Sequence, residues 1–439
     1  MKSWQRNITY FITGQMISLV GSLLVQFAIF WYINLETQSG TILTIAIIAS
    51  FIPLLIFSPI AGVLADKMNR KLLIIIADTS IAFVTLITAI IFTLGNIEIW
   101  MLIVVTAIRG IGQAIHGPAI GAAIPLMVPQ DKLMRIQGIQ TGIQSAFNVL
   151  APILAALLIS WFSIGFLFYI DTVTAILGVG TLLIFVTIPK HVNEDKPKTT
   201  NGFQDFVAGM KYVRSHTFLI PFFIYLFIVL VLVSPVAFLS PLQVVRSFTT
   251  YGTDLFRLTM IEIGFSSGMT LGAIFVAWWG GFKNRIVTAG IAISIMGFGV
   301  LMLGIVSNFY IYFGLMLLQG IALPFYNTPI TVVIQEQVDP AYMGRVTSIS
   351  TMINSVAMPL GIALFGPLAD IVDIELLMMV SGGLMLIFGG LYFINKPLMR
   401  AGEKPRKQTQ ATPQPERADF KNNLNTHGAP SVIQMAITK

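Results

Sequence analysis

The sequence predicts an all-α membrane protein with twelve transmembrane helices, and two observations support this fold class. About twelve apolar segments of roughly 20 to 27 residues follow one another, and a helix needs about 20 apolar residues to cross a bilayer. Hydrophobic residues make up 56% of the 439 residues and charged residues 10%, against about 25% charged residues in soluble domains. The predicted spans are 8–34, 42–65, 72–94, 98–122, 137–160, 164–188, 218–245, 256–281, 286–305, 309–334, 342–366 and 375–394.

Basic residues fall on one side of the predicted helices. Of the 26 Lys and Arg residues, 23 lie on one side, Arg246 and Arg257 lie on the other, and Arg109 lies inside a span. Because Lys and Arg concentrate in cytoplasmic loops of membrane proteins, we expect both termini in the cytoplasm. That arrangement requires an even number of spans, which twelve satisfies.

A polar linker at 189–217 divides the spans into two groups of six. We expect a six-helix bundle at 1–188, a second at 218–395, and a disordered cytoplasmic tail at 396–439 whose composition buries too little apolar surface to fold. Basic residues in the tail leave open a contact with anionic lipid head groups. Within the linker, 203–213 fits either an amphipathic surface helix or a solvated segment.

The two halves resemble each other at a constant offset of 210 residues. The sequence RGI from Arg109 aligns with QGI from Gln319, and Arg135 aligns with Arg345. Parallel six-helix repeats place a substrate site at their interface near the midplane, because two bundles can rock about a shared cleft. The sequence therefore predicts two pseudo-symmetric bundles.

Composition excludes several classes of chemistry. The chain has no cysteine, so disulfides and thiol nucleophiles are ruled out, and its four histidines form no metal-binding pattern. No phosphate-binding loop precedes a helix, which argues against ATP as the energy source. We expect no metal, no cofactor, no nucleic-acid partner and no enzymatic activity.

The segment GVLADKMNRK at 62–71 resembles the G-x-L-A-D-R-x-G-R-[KR] signature of the major facilitator superfamily, a family of twelve-helix secondary transporters. Lys67 stands in for arginine, and Asn69 replaces the second glycine. The resemblance implies the major facilitator fold and a gate at the cytoplasmic face that closes in one state and opens in the other. A plain basic loop is the alternative. The predicted gating residues are Gly62, Asp66, Arg70, Lys71, Asp78 and Arg345.

Three charged residues inside predicted spans are candidates for function, because a charge near the bilayer centre costs about 2.5–3.5 kcal/mol. Arg109 begins RGIGQA, which resembles a span-four motif of the family associated with proton coupling in drug antiporters. Asp171 and Glu262 lie in the outer parts of their spans, one in each half. We predict that these three residues, with Gln113 and His116, form a proton or cationic-substrate site; structural hydrogen bonding is the alternative.

Polar residues in span five recur every three to four positions and form one stripe on a helix. The stripe either lines a cavity or makes hydrogen bonds between helices. The predicted cavity-lining residues are Gln26, Gln137, Gln140, Gln144, Asn148, Asn327 and Asn354.

The resemblance to the superfamily covers 1–395, and within it several stretches are similar to bacterial macrolide-efflux proteins. These include GQMISLVGSLLVQFAIFWY, RGIGQAIHGPAI, IEIGFSSGM and YMGRV. The resemblance implies a monomeric, proton-driven exporter of small amphipathic drugs in the lipid bilayer of a bacterial plasma membrane. Export of a siderophore, a lipid or another amphipathic metabolite is the alternative.

Overall fold

The computed structural model describes residues 3–189, 202–248, 254–339 and 342–403, and every regular element among them is helical. Twelve candidate spans are long and apolar enough to cross a membrane, which confirms the predicted fold class. The helices are α1 (Ser3–Thr37), α2 (Gly40–Lys67), α3 (Arg70–Thr93), α4 (Ile99–Met127), α5 (Gln130–Trp161), α6 (Ile164–Phe185), α7 (Gly202–Ser215), α8 (Leu219–Ser234), α9 (Ser240–Ser247), α10 (Asp254–Trp279), α11 (Arg285–Leu303), α12 (Phe309–Gln337), α13 (Met343–Leu368), α14 (Ile374–Ile394) and α15 (Lys396–Ala401).

Short polar breaks between the spans begin the next helix through side-chain caps. Ser39, Asn69, Asn284 and Asn308 each accept a hydrogen bond from a first-turn N–H group, at the starts of α2, α3, α11 and α12. These caps satisfy N–H groups that have no partner inside the helix. These four caps therefore help to fix where α2, α3, α11 and α12 begin.

The seventh span was predicted as one helix over 218–245, but it contains an irregular turn. Helix α8 ends at Ser234, a π-helical turn covers Pro235–Leu239, and α9 continues from Ser240. Proline supplies no N–H group and clashes with the preceding turn of an α-helix. Pro235 and Pro241 therefore account for the shift in hydrogen bonding at this point.

The helices of each half pack mainly against one another, and the helix boundaries of the two halves correspond at one sequence offset. Helices α1, α2, α3, α4 and α6 pack together in the first half, and α8, α10, α11, α12, α13 and α14 in the second. Helices α4 and α12 begin at Ile99 and Phe309 and end at Met127 and Gln337. Both pairs of ends differ by 210 residues, the offset seen in the sequence.

The linker contains a helix, α7, so 203–213 is helical, while its predicted place on the membrane surface stays a prediction. Its Tyr212 ring stacks on Tyr342 at a centroid distance of 4.3 Å, and the Tyr212 hydroxyl accepts a hydrogen bond from the backbone N–H of Asp339 at 3.1 Å. The linker helix thus packs against the start of α13. Residues 190–201 lie outside the described part of the chain.

The tail differs from the prediction at its first residues. We expected disorder from 396, but Lys396–Ala401 forms α15, with Leu398 and Ala401 buried. The Gly402 carbonyl accepts from the backbone N–H of Arg285 at 2.8 Å. These few apolar residues are enough because they cover the start of α11. Residues 404–439 lie outside the described residues.

We call the end of the bundle where α1 begins and α7 lies the linker face, and the opposite end the distal face. At the distal face, Asp370 follows α13 and accepts hydrogen bonds from the Ser39 hydroxyl at 2.8 Å, the Gly40 N–H at 2.7 Å and the Thr41 N–H at 2.8 Å. A carboxylate from the second half therefore caps the start of α2 in the first half, where negative charge is favourable.

Arg246, at the end of α9, completes this contact. Its guanidinium lies 2.8 Å from an Asp370 carboxylate oxygen and also donates to the Gln38 carbonyl oxygen. We call Gln38–Thr41, Arg246 and Asp370 the distal latch. Directly below it, a Cβ atom added at Gly40 would overlap the Gly366 carbonyl oxygen. Helices α2 and α13 therefore close the distal face through direct contact between the halves.

The latch shifts the acid–base behaviour of Asp370. Partial burial alone would raise the pKa of this carboxyl group, but hydrogen bonds from Thr41, Ser39 and Gly40 stabilise the ionised form and outweigh burial. The net effect holds the pKa of Asp370 well below its usual range.

Replacing Asp370 with asparagine should open the distal face more often. Asp370→Asn removes the charge that faces Arg246 and presents amide donors to the N–H groups of α2. Capping and partly exposed ion-pair interactions each contribute about 1 kcal/mol, so losing both should enlarge the open population by about thirtyfold. The chain has no native cysteine, so spin labels at Leu94→Cys and Ile305→Cys can report the distance between the halves. These positions are exposed.

Glu375→Gln is the matched control, because Glu375 bonds to Ser247 within the same half. It should leave the distance distribution unchanged. An unchanged distribution in Asp370→Asn as well would show that the latch does not hold the distal face closed.

The latch should be insensitive to pH near neutrality. The pKa of Asp370 is lower in the closed state than in the open state. Ionised Asp370 therefore stabilises the closed state fully above the ordinary aspartate pKa of about 4. This stabilisation is lost as the pH falls from that value through the lowered pKa. The same spin-label distances should therefore not change between about pH 8 and pH 5.5. Opening within that window would mean that another titratable group controls the distal face.

Candidate functional site

Arg109 lies in the middle of α4 and is 5% exposed. Its guanidinium forms an ion pair with Asp171 of α6 at 2.6 Å and donates to the Thr85 hydroxyl of α3. It also donates to the Ser22 carbonyl oxygen of α1 at 3.2 Å. One side chain therefore joins four helices of the first half.

Asp171 is 1% exposed, so its charge is removed from solvent. Besides Arg109, it accepts a hydrogen bond from the Ser22 hydroxyl at 3.3 Å. A buried ion pair is tolerated when the two groups are in close contact and further hydrogen bonds satisfy their remaining donors and acceptors. The sequence prediction placed these two residues in one site, and the structure brings them together.

Glu262 is not part of that cluster. It lies on α10, half-buried, in a separate cavity of the second half with Gln319 and Ser240. Among the described residues, no hydrogen bond or ion pair reaches its carboxylate. The predicted three-residue site is therefore divided between the two halves.

The second half keeps the frame of the Arg109 cluster without its charges. At the offset of 210 residues, Gln319 replaces Arg109 and Ser381 replaces Asp171. Gln319 Nε2 donates to the Met296 carbonyl oxygen at 2.8 Å, and the Ser381 hydroxyl donates to the Leu232 carbonyl oxygen. Leu232 is the equivalent of Ser22, so the constant offset is a sequence signal that could have identified all three pairs.

His116 of α4 forms a second polar cluster in the first half. Its Nε2 atom lies 3.0 Å from the Asp78 carboxylate and 2.8 Å from Gln15 Oε1. Asp78 Oδ2 and Gln15 Nε2 are buried without a hydrogen-bond partner among the described atoms. Asp78, predicted as a support for the gate, thus contacts His116, and Gln15 was not identified from the sequence.

The residues of the predicted gate are spread over the linker face. Lys71 Nζ donates to the Val186 carbonyl oxygen at 2.8 Å, at the end of α6 in its own half. Arg70 is buried, Gly62 has no atom within 4 Å of an added Cβ, and the Arg345 guanidinium lies 5.4 Å from the Tyr342 ring centroid. The Asp66 side chain lies outside the described atoms.

Polar side chains occupy equivalent positions on α5 and α13. Gln137, Gln140 and Gln144 of α5 correspond to Thr347, Ser350 and Asn354 of α13 at the offset of 210. The α13 residues line a cavity of about 990 Å³, and Asn327 of α12 joins them. Gln137 and Gln144 are exposed within the span, and Gln140 is partly exposed. The Asn148 side chain is not among the described ones.

Gln26 and Gln113 line a pocket beside Arg109 in the first half, together with Ser50 and Thr106. Close approach of α2 and α4 shapes this pocket, because a Cβ atom at Gly110 would meet the Ser50 carbonyl oxygen. Over the described ranges, no group of three or more His, Asp or Glu residues could hold a metal ion.

Relatives support this geometry as that of a transporter. The chain is 31% identical over 386 residues to macrolide efflux protein A of Streptococcus pyogenes, covering 88% of this chain and 94% of that protein. It is 24% identical to the staphyloferrin A transporter of Staphylococcus aureus, covering 89% and 96% of the two chains. The crystal structure of nucleoside transporter NupG superimposes with a TM-score of 0.63 at 16% identity, covering 90% of this chain and 99% of that one.

The family model of the Major Facilitator Superfamily matches residues 9–361 and 250–433. Twelve apolar helices and these relatives make the chain a multi-pass bacterial membrane protein. The repeat, the helical architecture and the family match agree, and the chain belongs to the major facilitator superfamily of transporters.

Proposed function

We propose that this protein exports amphipathic drugs of the macrolide type from a bacterial cell by proton antiport through alternating access. The observation that carries the proposal is Glu262, a carboxylate inside a membrane span that has no partner among the described residues and borders a largely apolar cavity. Such a group is costly when charged. It therefore favours taking up a proton or a cationic ligand, the exchange that proton-coupled export requires.

The distribution of contacts between the halves supports alternating access. The distal latch closes one face, and the polar positions of α5 and α13 lie in the opposite half of the membrane. Closure at one face is one of the two states that a rocking mechanism needs. In the proposal, the bundles at 1–188 and 218–395 rock as a monomer, and the gate at 62–71 closes the linker face in the other state.

The positive-inside pattern supports placing the linker face in the cytoplasm. In that orientation the distal latch closes the described conformation to the outside. Protons would enter from the outside in the other state. Arg109 and Asp171 would form a second candidate proton site, in which Asp171 must separate from Arg109 before it accepts a proton.

The alternative is export of a siderophore, a lipid or another amphipathic metabolite. The similarity to a staphyloferrin A transporter, at 24% identity, favours it less strongly than the similarity to macrolide efflux protein A at 31%. Both substrates require the same coupling step, so the choice rests on substrate assays.

Transport in proteoliposomes tests the proposal. With an imposed pH gradient, the purified protein should move labelled erythromycin against its own gradient, toward the more acidic compartment, and erythromycin movement should carry protons the opposite way. Glu262→Gln should abolish gradient-driven accumulation while leaving exchange of erythromycin across the membrane. Asp171→Asn should lower accumulation to a smaller extent, because Arg109 must first be released.

Glu98→Gln is the control, since Glu98 is exposed at the distal start of α4 and only accepts a hydrogen bond from Trp100. It should transport like the wild type. Erythromycin movement that ignores the pH gradient, or full coupling in Glu262→Gln, would contradict proton antiport through this carboxylate.

A further inference from the structure

The cavity around Glu262 lies within the second half and comprises about 820 Å³ of non-protein space, including its opening to solvent. Helices α8, α9, α10, α11, α12 and α13 and the π-helical turn contribute to its wall. Most of the lining is aliphatic, aromatic or methionine side chain. Its polar side chains are Glu262, Gln319 and Ser240.

Each of the two neutral polar side chains donates a hydrogen bond to a backbone carbonyl oxygen. Gln319 Nε2 donates to the Met296 carbonyl oxygen at 2.8 Å, and the Ser240 hydroxyl donates to the Val236 carbonyl oxygen at 2.7 Å. Gln319 is 1% exposed, and its buried Oε1 atom has no hydrogen-bond partner among the described atoms.

Glu262 adds a third acceptor to the same wall. An ionised carboxylate has two acceptor oxygens and no donor. Pro241, beside it in the lining, has no N–H group. Among the polar side chains described around this cavity, the one that carries charge is therefore negative and offers acceptors alone.

We infer that this cavity binds the hydrogen-bond-donating, cationic end of the substrate, a protonated amine, at the Glu262 carboxylate. The inference rests on the proposed function, because it assigns a substrate class to a transporter. Carboxylates and phosphates are disfavoured at this position, since they would place a second negative charge beside Glu262. The pocket thus distinguishes cationic amphipaths from anionic ones.

The rest of the lining suits the apolar body of such a molecule. Met296, Met316 and Met358 contribute unbranched, polarisable side chains that adapt to ligands of different shape. Phe265 and Leu323 add apolar surface. An amphipath would place its amine at the acceptors and its hydrocarbon part against these residues.

The first half offers no equivalent position for a cation. At its corresponding place, Arg109 occupies the site that Gln319 fills in the second half, and its positive charge already pairs with Asp171. A protonated amine would be repelled there. The asymmetry between the repeats therefore places the cationic end of the substrate in the second half.

Equilibrium binding to the full chain in detergent tests the inference without requiring transport. Three probes are compared at pH 7: erythromycin, which carries a tertiary amine; its N-demethylated, N-acetylated derivative, which is neutral; and fusidic acid, an amphipathic carboxylate. Erythromycin should bind at least about tenfold more tightly than the neutral derivative, because hydrogen bonds to ionised groups are the stronger ones. Fusidic acid should bind most weakly.

Two variants locate the preference. Glu262→Gln should weaken erythromycin binding by at least about tenfold and reduce its advantage over the neutral derivative to less than about twofold. Gln319→Met, which keeps a similar volume, should weaken both macrolides without abolishing the preference for the amine. Glu98→Gln should bind all three probes like the wild type, and thermal unfolding should confirm that each variant is folded.

Equal affinity for the amine and the amide, tight binding of fusidic acid, or no measurable binding of erythromycin would each overturn the inference. An amine preference that survives in Glu262→Gln would also overturn it. Failure of the proposed function gives a different result, since the amine preference would be present in the binding assay while erythromycin transport in proteoliposomes is absent.

Discussion

The buried ion pair between Arg109 and Asp171 is the interaction on which the first half of the molecule depends. A guanidinium at the middle of a span has no water to stabilise it, so its compensating charge and hydrogen-bond acceptors must come from neighbouring helices. Asp171, Thr85 and Ser22 supply them from α6, α3 and α1. Because Arg109 and Asp171 are both nearly inaccessible to solvent, removing either residue leaves an uncompensated buried charge. This single ion pair therefore fixes the packing of four helices.

The second half repeats the same frame with neutral residues, so the two halves differ in the charges buried at their centres. Gln319 and Ser381 hydrogen-bond to backbone carbonyl oxygens where the first half uses charges. Its intramembrane carboxylate, Glu262, has no partner among the described residues, whereas Asp171 and Asp78 are paired with Arg109 and His116. The two halves thus share a scaffold but differ in how their intramembrane carboxylates are compensated.

Hydropathy and length predicted the number and positions of the spans, because each helix must bury about 20 apolar residues in the bilayer. The offset of 210 residues and the intramembrane charges also followed from the sequence. The partners of the polar side chains did not follow from the sequence, because hydropathy does not fix how each helix is rotated about its axis. The contact of Asp78 with His116 and the separation of Glu262 from Arg109 are two examples. The distal latch joins Ser39 to Asp370, 331 positions apart, through loop residues with no periodic pattern.

A double-mutant cycle at Arg109 and Asp171, read by the free energy of unfolding in detergent or bicelles, tests the central claim most directly. The second half supplies the replacements, Arg109→Gln and Asp171→Ser, which reproduce Gln319 and Ser381. Each single replacement should destabilise the protein by about 3–5 kcal/mol because it leaves one buried charge, and the double replacement should cost clearly less than either. Additive losses from the two replacements would contradict the claim that these residues stabilise the fold as a pair.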